Sequence, residues 1–458
     1  MKMTRRDFLS LSTAAAVACG AALLPVEKAA AAQMPVSQGL LEEAYLYALP
    51  LIIMDATRKV STNTETATGS RAPVNQFIHA AKLADAATRT VVTPNVDTIY
   101  TQAWLDVSAE PMLYVLPETD RFCNVQVLDA WTNTAAVLEE AGTYAIAYSD
   151  WEGELPEGVQ RIDVSTRTVW TIARIVLSGE ADLPNVAAIQ SRMQLLPLSA
   201  YGVEQYKAPK GSYSPENDGV PVNKVLSMGP KEFFDTANQL METNPPAKAD
   251  APMLQKLSAL HVGPGETFDE RALGLIGTLR WKLMLLQMRG KLKEEAKNYA
   301  QKMGQWAYYG DPIGDFGTAY SYRAMVALMG LGANTTDIAI YPKTETDDSG
   351  NQLTGEKSYT LHFASVPPTM ENGFWSVTAY GDNNFLIDNP INRYCINDRS
   401  AMERNADGSV DITLSEAAPK DAVNWLPVGA GNFHLFLRIY KPDWDGLQDW
   451  QPPTIRVK

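Results

Sequence analysis

A chain of 458 residues that is 45% apolar has the length for two or three structural units and an ample core without covalent staples. Its formal net charge of -14 excludes a nucleic-acid partner, because phosphate binding needs a basic surface. After the leader, no segment approaches 18 uninterrupted apolar residues, so no permanent membrane span is expected.

The chain opens on Thr4-Arg5-Arg6-Asp7-Phe8-Leu9, a twin-arginine export signal, followed by an apolar run from Phe8 to Leu24 and small residues from Ala29 to Ala32. Residues 1–32 are therefore expected to be a signal peptide cleaved near Ala32, and the mature chain to work in the periplasm. A lipoprotein cleavage at Cys19 is disfavoured, because Ala16-Val17-Ala18 lacks the usual large aliphatic residue. Loss of Lys2, Arg5, Arg6 and Lys28 against Asp7 and Glu27 moves the net charge from -14 to -16. The implied partner is the twin-arginine export machinery, which carries folded cargo. Such cargo folds around a cofactor or simply folds fast, and the signal favours neither, so the cofactor is left unknown. The mature chain keeps Cys123 and Cys395. Folding before export means folding with reduced thiols, so two buried thiols are expected in preference to a bridge.

Residues 38–60 have helical spacing, with Pro50 expected to kink or break the helix. From Val91 to Leu177 the pattern becomes short strands rich in Val, Ile, Thr, Tyr and Trp, punctuated by Pro94, Pro111, Pro117, Gly142 and Gly153. Helical signals follow over Leu183–Leu195, from Pro230 through Met241, and over Phe268–Tyr309, the last weakened near Gly290 and Gly304. Strands return at Tyr359–Phe363, Phe374–Tyr380, Val410–Leu414 and Phe433–Tyr440. The fold class is α+β: a leading N-terminal helix plus a β-rich domain over 33–180, a helical region over 181–315, and a C-terminal β-rich domain over 316–458.

Familiar catalytic signatures are missing. There is no Gly-x-Ser-x-Gly, Ser-x-x-Lys, phosphate loop, His-Glu-x-x-His or Cys-x-x-Cys. Gly330-Leu331-Gly332-Ala333-Asn334 follows a helical run and is expected to stop it, with Gly or Asn in a left-handed cap. The four histidines, His79, His261, His362 and His434, have no metal-ligand spacing, so no metal residues are assigned. Asp347-Asp348-Ser349-Gly350-Asn351 looks oxygen-rich, but it lacks the later glutamate of a calcium loop and suits a hairpin.

The richest cluster is Thr93-Pro94-Asn95-Val96-Asp97-Thr98-Ile99-Tyr100. Period-two alternation puts Tyr100, Gln102, Trp104 and Asp106 on one strand face, so Asn95 and Asp97 could project into a pocket walled by Tyr100 and Trp104. Pro-Asn-x-Asp is good turn chemistry, with Asn and Asp bonding their own backbone, and on these residues alone a turn is favoured over a pocket. A second stretch, Asn124 to Asn133, carries Asp129 and Trp131 at the polar end of an apolar strand, where a carboxylate must find partners. In the last unit, Phe433, Leu435, Leu437 and Ile439 alternate with His434, Phe436, Arg438 and Tyr440, and Arg393 lies in a turn over Asn389–Tyr394.

These segments, together with Thr168–Leu183, Arg323–Asn334, Asn424–Pro427, Leu437–Pro442 and the Gly263-Pro264-Gly265-x-x-Phe268 linker, resemble a bacterial family that joins domains of unknown function 1254 and 1214. The resemblance implies two β-rich, sandwich-like domains with a helical insertion, and often export; it implies no reaction. Phe122-Cys123 stands where Tyr-Tyr is frequent in that family, and Tyr380-Gly381 where Tyr-Asp is frequent.

The expected function is that of an exported hydrolase or lyase on a small or oligomeric substrate. Asp97 and Asp129 would be acid and base, Tyr100 a donor, Arg393 or Arg438 a charge stabiliser, and Asn95, Trp104, Trp131 and Asn133 ligand contacts. A non-catalytic ligand-binding or envelope-structural protein is the alternative. A metal-dependent oxidase or oxygenase using His362 and His434 is the third reading.

Overall fold

The computed structural model describes residues 36–89, 92–420 and 423–458; residues 1–32, expected to be a signal peptide, and Val91, where the strand signal begins, lie outside the described residues. The described chain starts in helix α1 (Gln38–Ser61), capped by Ser37, whose hydroxyl accepts from the Leu40 N–H at 3.1 Å. Arg58 and Lys59 in its last turn complement the negative end of the helix. The helix runs through Pro50 without breaking. Proline removes one hydrogen bond, but nearly every residue from Leu41 to Ala56 that faces a neighbour is buried, and packing on all sides outweighs that single loss.

The first β region comprises β1 (Ile78–His79), β2 (Thr98–Asp106), β3 (Met112–Leu116), β4 (Cys123–Leu128), β5 (Thr134–Leu138), β6 (Gly142–Tyr148), β7 (Val159–Val164) and β8 (Thr168–Val176). Helix α2 (Leu183–Arg192) ends earlier than expected and leads into β9 (Gln194–Pro197). One sheet has the order β1-β2-β8-β4-β5, the other β7-β6-β3-β9. They sandwich a core that includes Ile99, Ala103, Leu105, Val125, Val127, Tyr114, Ile146, Val169, Ala173 and Ile175. Period-two alternation thus sends Tyr100, Gln102 and Trp104 to the outer face of the first sheet, as their spacing implied.

The helical layer contains α3 (Pro221–Ser227), α4 (Pro230–Thr243), α5 (Ala251–Leu257), α6 (Gly277–Ala296) and α7 (Tyr320–Met329), gathered on α1 around Phe233, Phe234, Trp281 and Tyr322. The long helix expected over Phe268–Tyr309 is shorter. Its last part is a hairpin of β10 (Ala300–Met303) and β11 (Trp306–Tyr309), turned at Gly304, whose φ of 60° is readily adopted only without a side chain.

The second sandwich is built from β12 (Ala339–Ile340), β13 (Lys343–Thr344), β14 (Tyr359–Phe363), β15 (Thr369–Gly381), β16 (Cys395–Asn397), β17 (Val410–Ser415), β18 (Trp425–Pro427), β19 (Phe433–Pro442), helix α8 (Trp444–Asp449) and β20 (Thr454–Val457). One sheet runs β10-β11-β13-β19-β15-β16 and the other β18-β17-β14-β20. Phe433, Leu435, Leu437 and Ile439 enter the core between them, with Tyr359, Leu361 and Phe363 from the facing sheet. The alternate residues of β19, His434 to Tyr440, face outward, toward the first sandwich at Arg438 and Tyr440. The architecture is a mixed α+β fold of two β-rich units with a helical layer.

Candidate functional site at the domain junction

The loop that enters β2 is held by its own side chain. Asn95 Oδ1 accepts from the backbone N–H groups of Asp97 at 2.7 Å and Thr98 at 3.3 Å, an Asx turn that aims Asp97 inward. Asn95 Nδ2 donates to the Tyr440 hydroxyl at 2.5 Å. The same residue is therefore both turn former and cross-domain contact.

Asp97 is fully buried and takes every side-chain donor from the second sandwich. Ser376 Oγ donates to Oδ2 at 2.5 Å, while Arg399 Nη2 at 3.0 Å and Asn397 Nδ2 at 3.4 Å donate to Oδ1. Arg399 also pairs with Asp398 at the rim. Nearby, Arg438 donates to Thr378 Oγ1 at 3.0 Å, the Tyr380 hydroxyl at 2.7 Å and the Thr93 carbonyl at 3.2 Å, and the Tyr380 hydroxyl donates to the Pro94 carbonyl at 2.6 Å. Burial raises the Tyr380 hydroxyl to about 12 although Arg438 opposes the shift. Burial works against the charge of Arg438, but Tyr380, Tyr440 and Asp97 outweigh it and hold the guanidinium above its usual value. Cys395 stands beside this network with its thiol pushed up to about 12 by burial, then by Asp97. Cys123 is a separate buried thiol, and among the described residues neither cysteine is bridged.

The outer face of the first sheet continues the junction. Register aligns Tyr100, Arg174 and Asn124 in one row across β2, β8 and β4. Arg174, only 4% exposed, donates to Gln126 Oε1 at 3.0 Å and to the Gly332 carbonyl at 2.7 Å, with the Tyr100 ring 5.8 Å away. It forms no ion pair among the described residues. Beside it in the row, both amide atoms of fully buried Asn124 lack partners among the described residues, as does Asn334 Oδ1, while Asn334 Nδ2 donates to the Tyr341 hydroxyl at 2.8 Å. The Tyr341 hydroxyl is raised by burial and feels both Arg174 and Arg438, which joins the two arginine clusters into one polar seam.

The loop after α7 completes the seam. The helix does stop at Gly330, but Gly330 itself is not left-handed; Gly332, with φ of 79°, takes that conformation two residues later. A Cβ there would lie 2.8 Å from Ile172 Cδ1 and 3.1 Å from the Trp170 ring, so a glycine lets this carbonyl reach Arg174. Trp104 stacks on Trp170 at 5.0 Å farther along the same face, and both indole N–H groups lack partners among the described residues.

The structure thus brings Asn95, Asp97, Tyr100 and Arg438 together, but not Asp129. β2 and β4 flank β8, with Asp97 beside Leu177 at one end and Asp129 just past Trp170 at the other, a separation of about 25 Å at roughly 3.3 Å per strand residue. Hydrolysis by a carboxylate pair needs about 5–10 Å. Asp129 instead closes a turn. Its Oδ1 accepts from the N–H groups of Trp131 and Asn133 at 2.8 Å each, and Asn133 Nδ2 donates to Oδ2 at 3.0 Å. Burial still raises its pKa, against Asn133 and Arg323. Trp131 anchors to the Asn244 carbonyl and, with Tyr47 and Tyr320, encloses the buried Arg323.

Arg393 lies elsewhere, donating to the Val423 and Trp425 carbonyls at 3.0 Å each, where it pins two loops. His362 and His434 sit in different sheets with outward-facing side chains, so they cannot share a metal ion. His362 pairs with Asp411 at 2.7 Å, and burial lowers His434 to about 4. Among the described residues no group of three His, Cys, Asp or Glu could hold a metal ion. Asp347 accepts from the N–H groups of Ser349 and Asn351 within a hairpin turn.

Arg174, Asn124 and Tyr341 were not singled out from sequence. Arg174 had a usable signal: it follows Trp170 and Ile172 and precedes Val176 on the outer face of its strand, a charge in an apolar row.

Two β sandwiches, a helical layer and a buried polar seam between the sandwiches define a two-domain α+β protein. Models described as proteins of unknown function match residues 74–197 (DUF1254) and 338–444 (DUF1214), and the chain belongs to the two-domain family that joins them. The VPA0106 protein from Vibrio parahaemolyticus has a similar crystal structure, with 24% identity and a TM-score of 0.68 over 92% of this chain and 99% of that one. A more distant likeness is to an uncharacterised protein from Burkholderia cenocepacia, at 13% identity and a TM-score of 0.42 over 91% of this chain and 88% of that one. Comparison with curated proteins finds no match.

Proposed function

We propose that this is an exported periplasmic protein that binds a small organic anion at the junction of its two sandwiches, with Arg174 as the receiving cation. One observation carries the reading: a buried guanidinium met only by neutral acceptors, beside unpartnered Asn124 and Asn334 atoms. A buried cation without a counter-ion costs several kcal/mol, roughly, and orphaned polar atoms mark where a ligand or water would bond. A carboxylate beside Arg174 would offset both costs, and Tyr100, Tyr341 and Tyr440 suit its carbon frame. Asp97, held by three donors and ion-paired to Arg399, acts in this reading as the clasp between the domains. Its separation from Asp129 takes away the carboxylate pair on which hydrolase or lyase chemistry was argued. Export rests on Thr4-Arg5-Arg6-Asp7-Phe8-Leu9.

The test is a thermal-shift screen of the mature protein against mono- and dicarboxylates and inorganic phosphate, followed by calorimetric titration of the best anion. Arg174→Gln should weaken that binding by about 10- to 100-fold, the loss of charge-assisted hydrogen bonds, with an unchanged circular dichroism spectrum. A panel without any shift, or equal binding by Arg174→Gln, would overturn the assignment. Conversion of the bound anion to product would make the same site catalytic.

A further inference from the structure

Helix α6 has two unlike faces. Trp281, Met284, Met288 and Leu292 are buried against the helical core, with Trp281 Nε1 donating to the Met228 carbonyl at 3.0 Å. The opposite face exposes Leu279, Leu283 and Leu286 at 54%, 47% and 79%, and Leu275 and Ile276 extend the apolar strip just before the helix. At 100° per residue, Lys282 and Arg289 border these leucines on one side and Lys293 continues their line. All three cations are exposed and none forms an ion pair among the described residues, whereas neighbouring Lys291 pairs with Glu42 and Lys297 with Glu294.

We infer that this face docks on the surface of an anionic lipid bilayer. Exposed leucines bordered by free cations are the pattern of a helix that lies in the headgroup plane, its apolar side in the acyl boundary and its cations on phosphates. The basic border is a local exception on a chain of net charge -14, so the attraction is directed to this face. An adjoining cleft of ≈ 390 Å³, lined by Leu226, Leu285, Leu286 and Leu328 with Lys282 and Arg289 among its walls, has the polarity for an acyl segment below a phosphate. No helix among the described residues is long and apolar enough to cross a membrane, which makes the contact peripheral. A second copy fits less well: a two-fold pairing of α6 about Leu286 sets Lys282 of each copy against Arg289 of the other, like charges in a dehydrated contact.

The experiment is flotation of the mature protein with vesicles of phosphatidylcholine alone and of phosphatidylcholine containing phosphatidylglycerol, at low and high salt, with light scattering of the free protein. Wild type should float with the phosphatidylglycerol vesicles at low salt and be released by high salt. Lys282→Gln with Arg289→Gln should weaken partitioning about 25-fold, roughly fivefold per cation. Leu283→Gln with Leu286→Gln should abolish it with little change in melting temperature, because Leu286 is mostly and Leu283 about half in water already. Absence of flotation with phosphatidylglycerol at low salt, or flotation unaffected by either pair, overturns the proposal. So does a dimer in light scattering that Leu286→Gln dissociates.

Discussion

Asp97 shows what a buried carboxylate requires of its surroundings. Its backbone belongs to the first sandwich, yet Ser376, Asn397 and Arg399 all reach it from the second, so its charge is satisfied only when the two units are docked. Asp97→Asn keeps the shape but removes the counter-ion of Arg399, itself 15% exposed, and leaves that guanidinium with Asp398 at the rim. A loss of about 3 kcal/mol is expected, read as a lower urea midpoint. Unchanged stability would remove the clasp role and return Asp97 to the catalytic candidates. Asp129 was argued from sequence by the same cost of burial, and it found a different solution: its own turn supplies the donors. The sequence logic that a carboxylate at the end of an apolar strand needs partners holds at both positions; which partners arrive depends on what the chain packs there.

At the scale of elements, strand alternation was legible in β2 and β19, whereas β10 and β11 lie in a stretch with helical spacing. Tyr100, Gln102 and Trp104 share a face, and β19 separates its core row from its junction row as the spacing implies. Helix ends and helix lengths were less legible. Pro50 leaves α1 intact because burial on all sides outweighs one missing hydrogen bond, and the residues after Ala296 turn into strands because an edge of the second sandwich is there to receive them. The Gly330–Asn334 segment was read as a helix stop; its further role, carrying two carbonyls to Arg174 and Gln126, belongs to the docking of α7 on the first sheet. Gly332→Ala should therefore cost about 1–3 kcal/mol, from the positive φ and the contacts with Ile172 and Trp170, and should weaken anion binding along with stability. Wild-type stability with an alanine there would mean that the loop can withdraw from the sheet.

For the whole molecule, the leader and the fold make separate statements. Export is proposed from the twin-arginine motif with the apolar run and small residues behind it, so Arg5→Lys with Arg6→Lys should leave the precursor in the cytoplasm, whereas the wild type should appear in the periplasm with a mass that begins near Gln33. Equal periplasmic yield from both would overturn that address. The junction joins the two sandwiches by an apolar cluster of Phe122 and Val176 with Phe374 and Tyr440, and by polar contacts: Asp97 with Arg399, Arg438 with Thr93, and Asn95 with Tyr440 all cross it. Such a seam is costly to form dry and imperfectly satisfied. That is the physical basis for expecting a ligand there instead of a further layer of leucines.

What the sequence by itself determined is what depends on local order: the α+β succession, the inward and outward rows of the strands, the turn at Asn95, and the family. What only the tertiary structure decided is which of the polar residues meet. Asp97 and Asp129 are 32 positions apart in the chain and lie at opposite ends of one sheet, while Asp97 and Arg399, 302 positions apart, form an ion pair. Periodicity specifies the face on which a side chain lies, but strand order and domain docking specify its neighbours, and chemistry is made by neighbours.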